Sequence, residues 1–456
     1  MGNTESVVVQ KRLEWFHPDE RPAVEAVFDR LTGGGKGRTV TLDVLQASLG
    51  SVAPDSMVRR VFRCLCSIDP DSAAPGKTPH PPAAASSGAG REQLLVFLAD
   101  MLRGTAEERA PLVMTMSQHA TGPATEYVTR EQVEEFVKDL VSAVVQVLVH
   151  SGRLQGWQPD RMGDVSSGVK HLAEQLCSEL KTADGRCDSS SLEDWLFRVS
   201  QVSQYLELLV SEGLKVSLGR PPPTLLPPCR ETPWQEASCL LDLPTLMFLA
   251  PQLPDGHGAP WRLVFSTQLH GESFTRMLDG LMRKGPTLLL VRDTKGHVFG
   301  GFASHSWELK PQFQGDSRCF LFSVSPQLRV YSATGYNEHY MYLNQHQQTM
   351  PNGLGMGGQH DYFGLWLDCD FGRGHSRARP RCTTYGSPQL SADEDFGLDR
   401  VEVWAVGKPP EPEEGEEEGG KRSILDADLE AQALMEMTGK TLHSQGLREP
   451  EEDMDQ

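Results

Sequence analysis

A proline-rich segment in the middle of the chain is the feature that most constrains its fold. The segment GRPPPTLLPPCRETP begins at residue 219. Proline fixes the backbone angle φ and has no N–H group to donate, so such a segment continues neither a helix nor a central strand. We therefore predict a semi-rigid linker over residues 219–235, with differently patterned sequence on either side. The 456 residues are enough for two to four domains.

The sequence before the linker has the pattern of helices. Stretches such as REQVEEFVKDLVSAVVQVLVH and SLEDWLFRVSQVSQYLELLV carry apolar residues three and four positions apart. Short segments of Gly, Ser and Thr separate them, as in helix–loop–helix pairs. We predict an all-α region over 1–218. It is interrupted by a disordered insertion at 69–90, where Pro, Ala, Gly and Ser leave too little apolar content to fold.

Part of this helical region resembles a degenerate EF-hand. FDRLTGGGKGRTVTLDVLQASLG has the order helix, glycine-rich loop, short β-like stretch and helix. A calcium loop needs carboxylates at alternating positions and a bidentate Glu at its end, and this loop offers glycines and cations instead. A later loop contains Asp184, Asp188 and Glu193, but their spacing does not match the calcium pattern. We predict an EF-hand-like region without a metal site.

The sequence after the linker has the pattern of strands. Short β-branched or aromatic runs such as TLLLVRD, HVFGGFAS and FGLWLDCD alternate with turn residues. The tetrapeptide DTKG between two of them is typical of a hairpin. Phe274, Met277, Leu278 and Leu281 form one helical stripe between the first two strands. Residues 236–407 therefore predict a β-sandwich flanked by helices, which makes the whole chain an α+β multidomain protein.

Charge and cysteine content exclude several classes of protein. The formal net charge is −19, with 62 acidic and 43 basic residues, which argues against binding nucleic acid because a phosphate backbone requires a cationic surface. The nine cysteines form no CxxC pair and are typical of reduced thiols in a cytosolic protein. No apolar run approaches the roughly 20 residues that span a bilayer. Membrane binding would then require an attached lipid.

The first six residues, MGNTES, match the pattern for N-terminal lipidation. The pattern Met-Gly-x-x-x-Ser predicts a myristoyl group on Gly2. A single myristoyl chain binds membranes reversibly, with an association constant of about 10⁴ M⁻¹, so a second contact is normally needed. The first twenty residues contain no basic cluster and no cysteine. We expect the second contact to be a protein partner already in the membrane.

The C-terminal sequence predicts a tethered amphipathic helix. An acidic linker at 408–420 precedes a helix at 421–440, and a disordered tail follows at 441–456. A helix of about 16 residues is marginal alone in water, so it must dock either on its own domain or on a partner. Both alternatives remain open. The predicted partner-binding stripe consists of Ile424, Leu425, Ala427, Ala431, Leu434 and Met435.

Candidate catalytic and metal-binding residues lack the surrounding patterns that such sites require. GLGMGGQ has neither the Lys-Ser/Thr pair of a P-loop nor a βαβ unit, and we interpret it as a glycine-rich turn. His270 and Ser273 lack a nucleophile elbow, and Ser273 fits a helix N-cap. Asp368 and Cys369 would point to opposite faces of a strand and share no ion. We predict no catalytic residue, metal, cofactor or small-molecule substrate.

Residues 243–407 resemble a TLDc domain along essentially its whole length. The resemblance rests on six motifs in the order LVFSTQLHGESFTRML, LLLVRDTKGHVFGGFAS, SRCFLFSV, GGQHDYFGLWLD, CTTYGSPQL and VEVWAVG. Membership of the TLDc family implies a β-sandwich flanked by helices that serves as an interaction module. It also implies binding to the V-ATPase and a link to oxidative stress, and a lysosomal branch of the family is associated with mTOR signalling.

The resemblance and the residues together lead to one expected function and one alternative. We expect a non-enzymatic adaptor at the cytosolic face of the lysosomal membrane and in the cytoplasm. Its partners would be the V-ATPase, mTOR signalling components and, through the myristate, the membrane. The alternative is a protein that protects against oxidation by an unrecognised activity or through a thiol. Its candidate thiols are Cys319, Cys369 and Cys382.

Overall fold

The computed structural model describes residues 7–34, 38–70, 88–118, 125–219 and 221–407. These ranges contain a helical half followed by a half built on a large sheet. Gly2, the core of the predicted insertion, the acidic linker and the predicted C-terminal helix lie outside them. The α+β fold class predicted from the sequence is confirmed.

Ten α-helices and two very short strands form the described part of the helical half. The helices are α1 (Val7–Leu13), α2 (Arg21–Thr32), α3 (Leu42–Leu49), α4 (Asp55–Ser67), α5 (Arg91–Leu102), α6 (Ala106–Ser117), α7 (Arg130–His150), α8 (Val165–Leu176), α9 (Ser189–Arg198) and α10 (Ser200–Gly213). The strands are β1 (Val128–Thr129) and β2 (Arg186–Cys187).

Helices α2 to α9 form four helix–loop–helix units joined in two pairs. An antiparallel bridge between Val40 and Ala89 connects the first two loops, and β1 pairs antiparallel with β2 in the last two. Short bridges of this kind between consecutive loops give the region the arrangement of paired EF-hands. The sequence predicted EF-hand-like units but not their pairing, because pairing depends on contacts between distant loops.

The fourth loop shows which position would have to carry the bidentate calcium ligand. Gly185, with φ of +74°, occupies the sharp turn that an EF-hand places at position six. Position twelve, which carries the bidentate Glu of a calcium loop, is then Ser191. Ser191 lies four residues after the paired Cys187. The residues four positions after the pairing residue of the other three loops are Val44, Gln93 and Gln132, so none of the four positions carries a carboxylate.

Three further helices and eleven strands form the sheet half within the described residues. The helices are α11 (Leu243–Leu249), α12 (Thr267–His270) and α13 (Phe274–Leu281). The strands are β3 (Arg262–Ser266), β4 (Thr287–Asp293), β5 (Val298–Ala303), β6 (Lys310–Gln314), β7 (Phe320–Ser325), β8 (Arg329–Ser332), β9 (Met341–Asn344), β10 (Gly353–Gln359), β11 (Tyr362–Asp368), β12 (Arg373–His375) and β13 (Asp395–Ala405).

The eleven strands form one antiparallel sheet that folds over itself into two layers. Their order is β6-β9-β10-β11-β12-β13-β4-β5-β7-β8, with β3 also beside β13. The long strand β13 pairs with β12 near its start and with β4 and β3 further along. Leu289 of β4 and Leu354 of β10 belong to one buried core between the layers. The predicted sandwich is therefore confirmed, with its two layers continuous through β13.

Four tryptophans join the two halves. Trp157 comes from the connection after α7, Trp234 from the proline-rich segment, Trp261 from the residue before β3 and Trp404 from β13. The ring centroid of Trp157 lies 5.2 Å from that of Trp404 and 5.9 Å from those of the other two. Aromatic pairs at these distances gain energy beyond their area burial. We call this group the tryptophan cluster.

The proline-rich segment is packed between the halves. Leu225 and Leu226 are buried, and the backbone oxygen of Pro227 accepts a hydrogen bond of 2.8 Å from the indole N–H of Trp157. The backbone N–H of Cys229 donates to the oxygen of Gln155 at 2.8 Å. The segment connects the halves, and its buried apolar residues fix it in the interface.

A buried carboxylate lies beside the tryptophan cluster. Glu402 of β13 is fully buried and accepts hydrogen bonds from the backbone N–H of Leu240 at 3.0 Å and from the indole N–H of Trp404 at 3.1 Å. Arg400 forms an ion pair with it at 2.6 Å. Burial raises the pKa of this carboxyl, and Arg400 opposes the rise. Glu402 thereby fixes the chain before α11 to β13.

We predict that Trp157→Ala lowers the free energy of unfolding by about 4 kcal/mol, because it removes the ring that touches the other three indoles. Chemical denaturation followed by circular dichroism measures this. Phe197→Ala is the matched control: Phe197 is 80% exposed, so its loss should change stability by less than about 0.5 kcal/mol. Equal effects of the two substitutions would contradict a joining role for the cluster.

Candidate partner-binding surface

The outer side of one sheet layer carries a set of contacting aromatic and histidine rings. We call it the aromatic–histidine face, and its strands are β6, β9, β10, β11 and β12 with the adjoining loops. Its rings belong to Phe313, His339, Tyr342, His360, Phe363, Trp366 and His375. Tyr342 and Phe363 are buried, while Phe313 and the three histidines are half-buried.

Glycines in β10 make room for these rings. A side-chain carbon at Gly355 would lie 2.6 Å from the ring of Phe363. Gly357 and Gly358 have φ of +72° and +82°, and β10 pairs with β11 in the same register on both sides of them. The interpretation of GLGMGGQ as a turn is therefore wrong. It forms a strand, because the absent side chains let aromatic rings lie directly on its backbone.

The rings stack in a fixed order. Phe313 lies between His339, at 4.0 Å between centroids, and His360, at 5.3 Å. Trp366 stacks with Phe363 at 4.6 Å and with His375 at 5.8 Å. Burial lowers the pKa of His375 to about 4, with the charge of Arg377 adding to the effect. His375 is consequently neutral at neutral pH.

Two exposed tyrosines stand at the hairpin between β10 and β11. Tyr362 is 47% exposed and pairs with Gln359 across the hairpin. Tyr336 is 79% exposed, and its loop is held to the hairpin by a 3.0 Å hydrogen bond from the N–H of Gly357 to the oxygen of His339. Exposed tyrosine on a rigid support is typical of protein interfaces. This end of the face is our candidate partner-binding surface.

His270 and Ser273, the candidates for a base and a nucleophile, make contacts that serve the fold. His270 accepts a 3.0 Å hydrogen bond at Nδ1 from the backbone N–H of Ser266, and its ring stacks on Phe265. Ser273 accepts from the backbone N–H of Arg276 at 3.4 Å and caps α13, as predicted. Neither contact prepares a nucleophile, because no hydrogen bond joins His270 to Ser273 among the contacts of the described residues.

The acidic group after β11 differs from the prediction. The candidate ligand atoms of Asp368, Cys369 and Asp370 all lie within 4.8 Å of one another, so the expectation that they diverge is wrong. The strand ends at Asp368, and the chain then turns through Phe371, with φ of +55°. The guanidinium of Arg373 pairs with Asp368 at 3.1 Å and with Asp370 at 3.3 Å. The guanidinium of Arg373 therefore already offsets part of the negative charge of these two carboxylates.

The three thiols of the oxidative alternative lie in environments that disfavour reactivity. Cys319 and Cys382 are buried, and Cys369 is half-buried. Burial raises the pKa of each thiol, and the neighbouring carboxylates add to the rise for Cys369. The thiolate is the nucleophilic form, so a raised pKa lowers its fraction at neutral pH. The environment suits structural thiols.

The predicted lipidation and helix-docking residues are not among those described. Gly2 and the stripe from Ile424 to Met435 stay predictions. Within the described ranges, no helix combines the length and apolar content needed to cross a bilayer.

Comparison with known proteins identifies the family of this chain. The TLDc domain model matches residues 234–407. The mTOR-associated protein MEAK7 of Danio rerio is 64% identical over 100% of both chains. The chain belongs to the TLDc family. The relative of the same name from Homo sapiens is 42% identical over 99% of this chain and 100% of its own. Human nuclear receptor coactivator 7 is 35% identical over 37% of this chain and 17% of its own.

These alignments separate two parts of the chain. The match to the coactivator covers 178 residues, close to the length of the TLDc domain, whereas the MEAK7 relatives match across the helical half as well. The TLDc motif GGQHDYFGLWLD supplies His360, Phe363 and Trp366 of the aromatic–histidine face. The face is therefore built in part from residues of the TLDc motifs, although the sequence did not predict that these rings form one face.

We predict that acid destabilises the TLDc domain partly through His375. The pKa of His375 is near 4 in the fold against 6.5 ordinarily, so the unfolded chain binds the extra proton as pH falls from 6.5 to 4, and stability falls with it. His375→Phe keeps a ring beside Trp366 and removes the titration. Between pH 7 and pH 5 its melting temperature should fall about 3 °C less than that of the wild type. Identical decreases in a thermal melt series would contradict this.

Proposed function

We propose that this protein is a non-enzymatic adaptor that supports mTOR signalling at the cytosolic face of the lysosomal membrane and in the cytoplasm. It binds the V-ATPase through its TLDc domain and its C-terminal helix. The observation that carries the proposal is the identity, along the whole chain, to relatives named for association with mTOR. The V-ATPase is proposed from the family resemblance.

The rigid connection between the halves supports an adaptor role. The tryptophan cluster holds the helical half against the TLDc domain, in which Glu402 fixes the chain before α11 to β13. A partner bound at Tyr336 and Tyr362 would therefore fix the position of the paired helix–loop–helix units. An adaptor requires such a fixed relation between the surface that binds and the surface that is presented.

In this proposal the acyl group and the protein partner together hold the protein at the membrane. Myristate on Gly2 supplies a weak, reversible hold, and the partner supplies a further one. Because the net charge is −19, electrostatic attraction to anionic lipid is a poor substitute for the protein partner. Residence at the lysosome should then depend on both the acyl group and the partner.

We predict that Tyr336→Ala combined with Tyr362→Ala weakens binding to purified V-ATPase about 30-fold, the effect of removing an interface anchor worth about 2 kcal/mol. Pull-down titration of full-length tagged protein measures the affinity. Phe197→Ala is the matched control, since Phe197 is as exposed as Tyr336 but lies in the helical half.

Undiminished binding of the double tyrosine variant would exclude this end of the TLDc domain as the contact. Recovery of the pump by a chain lacking residues 243–407, equal to that by the full chain, would exclude the domain altogether.

Deletion of residues 421–440 tests the predicted C-terminal helix separately. If the stripe from Ile424 to Met435 binds in trans, the deletion should weaken V-ATPase binding about tenfold or more while the thermal stability of the remaining chain is unchanged. A loss of thermal stability with unchanged pump binding would assign the helix to its own domain instead. Replacing Ile424, Leu434 and Met435 by Ser gives a control of unchanged length.

A further inference from the structure

Helix α1 has one face packed on the protein and another that faces solvent. Val9 and Leu13 are buried, and α1 packs along α5. Val7 and Lys11 lie one turn apart on the other side, and Trp15 follows in the turn after the helix ends at Leu13. Val7 is 67% exposed and Trp15 is 36% exposed. We call these three residues the α1 stripe.

Contacts beneath the stripe hold it in place. The Nε of Arg12 lies 2.8 Å from a carboxylate oxygen of Asp100 on α5, and the Arg12 guanidinium lies 4.2 Å from the centre of the Trp15 ring. Arg103 pairs with Glu20 at 2.6 Å, on the segment that follows. The indole of Trp15 is therefore supported from below and presented at the surface.

The charges around the stripe nearly cancel. Arg12 and Glu20 already have partners within the protein, and His17 lies 3.2 Å from Asp19. Exposed Lys11 is offset by exposed Glu14 in the next turn. A surface of this kind has no strong preference for an anionic or a cationic partner. Its exposed groups are an indole, a valine side chain and one ammonium group.

We propose that the α1 stripe lies on the lipid surface and is a second membrane contact beside the acyl chain on Gly2. The inference rests on the proposed acylation of Gly2. Val7 lies five positions after Gly2, which limits the distance between them to about 18 Å, so an inserted acyl chain brings the stripe to the bilayer. Tryptophan favours the boundary between headgroups and acyl chains, and lysine can extend toward the headgroups.

The stripe offers a membrane contact that needs no basic cluster. Because the local charges nearly cancel, binding should depend on the apolar area that enters the interface. We therefore expect it to occur on vesicles of pure phosphatidylcholine and to change less than about twofold between 50 and 300 mM salt, since screening acts on charge attraction.

Tryptophan fluorescence isolates this contact. The chain has eight tryptophans, and the other seven are all buried, so Trp15 is the exposed one. Full-length protein is produced with an N-myristoyltransferase, and its mass is checked for the added acyl group. It is then mixed with phosphatidylcholine vesicles that carry bromine on the acyl chains. The vesicles should quench the wild type but not Trp15→Phe, which lacks the exposed indole.

Partition to unbrominated vesicles measures how much Trp15 contributes to membrane binding. Trp15→Ala should bind about tenfold more weakly than the wild type, the equivalent of roughly 50 Å² of apolar surface. Phe197→Ala, which removes an exposed ring elsewhere, should bind as the wild type does. The thermal melts of both variants should match that of the wild type.

The outcomes separate this inference from the proposal on which it rests. A mass without the acyl group overturns the acylation of Gly2 and this inference with it, and leaves V-ATPase binding standing. Acylated protein whose Trp15 escapes quenching, or whose partition survives Trp15→Ala, overturns the stripe alone. Binding that requires anionic lipid and disappears at 300 mM salt also overturns it.

Discussion

The packing of Trp157 against Trp404 is the contact on which the rest of the structure depends. It closes a core that runs from the helical half to the outer side of the sheet, where Leu288, Leu290 and Phe302 are buried with helical residues. Without this cover the sheet would expose a large apolar patch, which soluble proteins rarely tolerate. The proline-rich segment covers the rest of this interface, and the buried Glu402 fixes the chain before α11 to β13.

Local features of this fold were predictable because neighbouring residues determine them. Leu192, Trp195 and Leu196 share a buried helical face, and Ser273 caps α13. The DTKG hairpin forms because Asp293 accepts hydrogen bonds from the backbone N–H groups of Lys295 and His297. In each case the signal and the interaction lie within a few positions of each other, so a single stretch of sequence contains both.

Features that depend on distant contacts escaped prediction. The glycines of β10 looked like a turn, because their purpose becomes visible only when Phe363 lies over Gly355. Asp368 and Cys369 seemed to diverge, because the end of a strand is poorly marked in sequence. The aromatic–histidine face gathers rings from Phe313 to His375, and no local pattern shows that they touch. Alternating glycines beside aromatic residues are the signal that would have indicated it.

The central position of β13 has a consequence for how the chain acquires its structure during synthesis. This strand is the last one in the described sequence, yet it pairs with β3, β4 and β12. A ribosome therefore releases ten strands of the sheet before the one that links its two layers. Until then each layer has an unpaired edge, the situation in which nascent chains associate wrongly. Maturation of the domain must wait for residues 395–405, which makes chaperone protection most valuable just before synthesis ends.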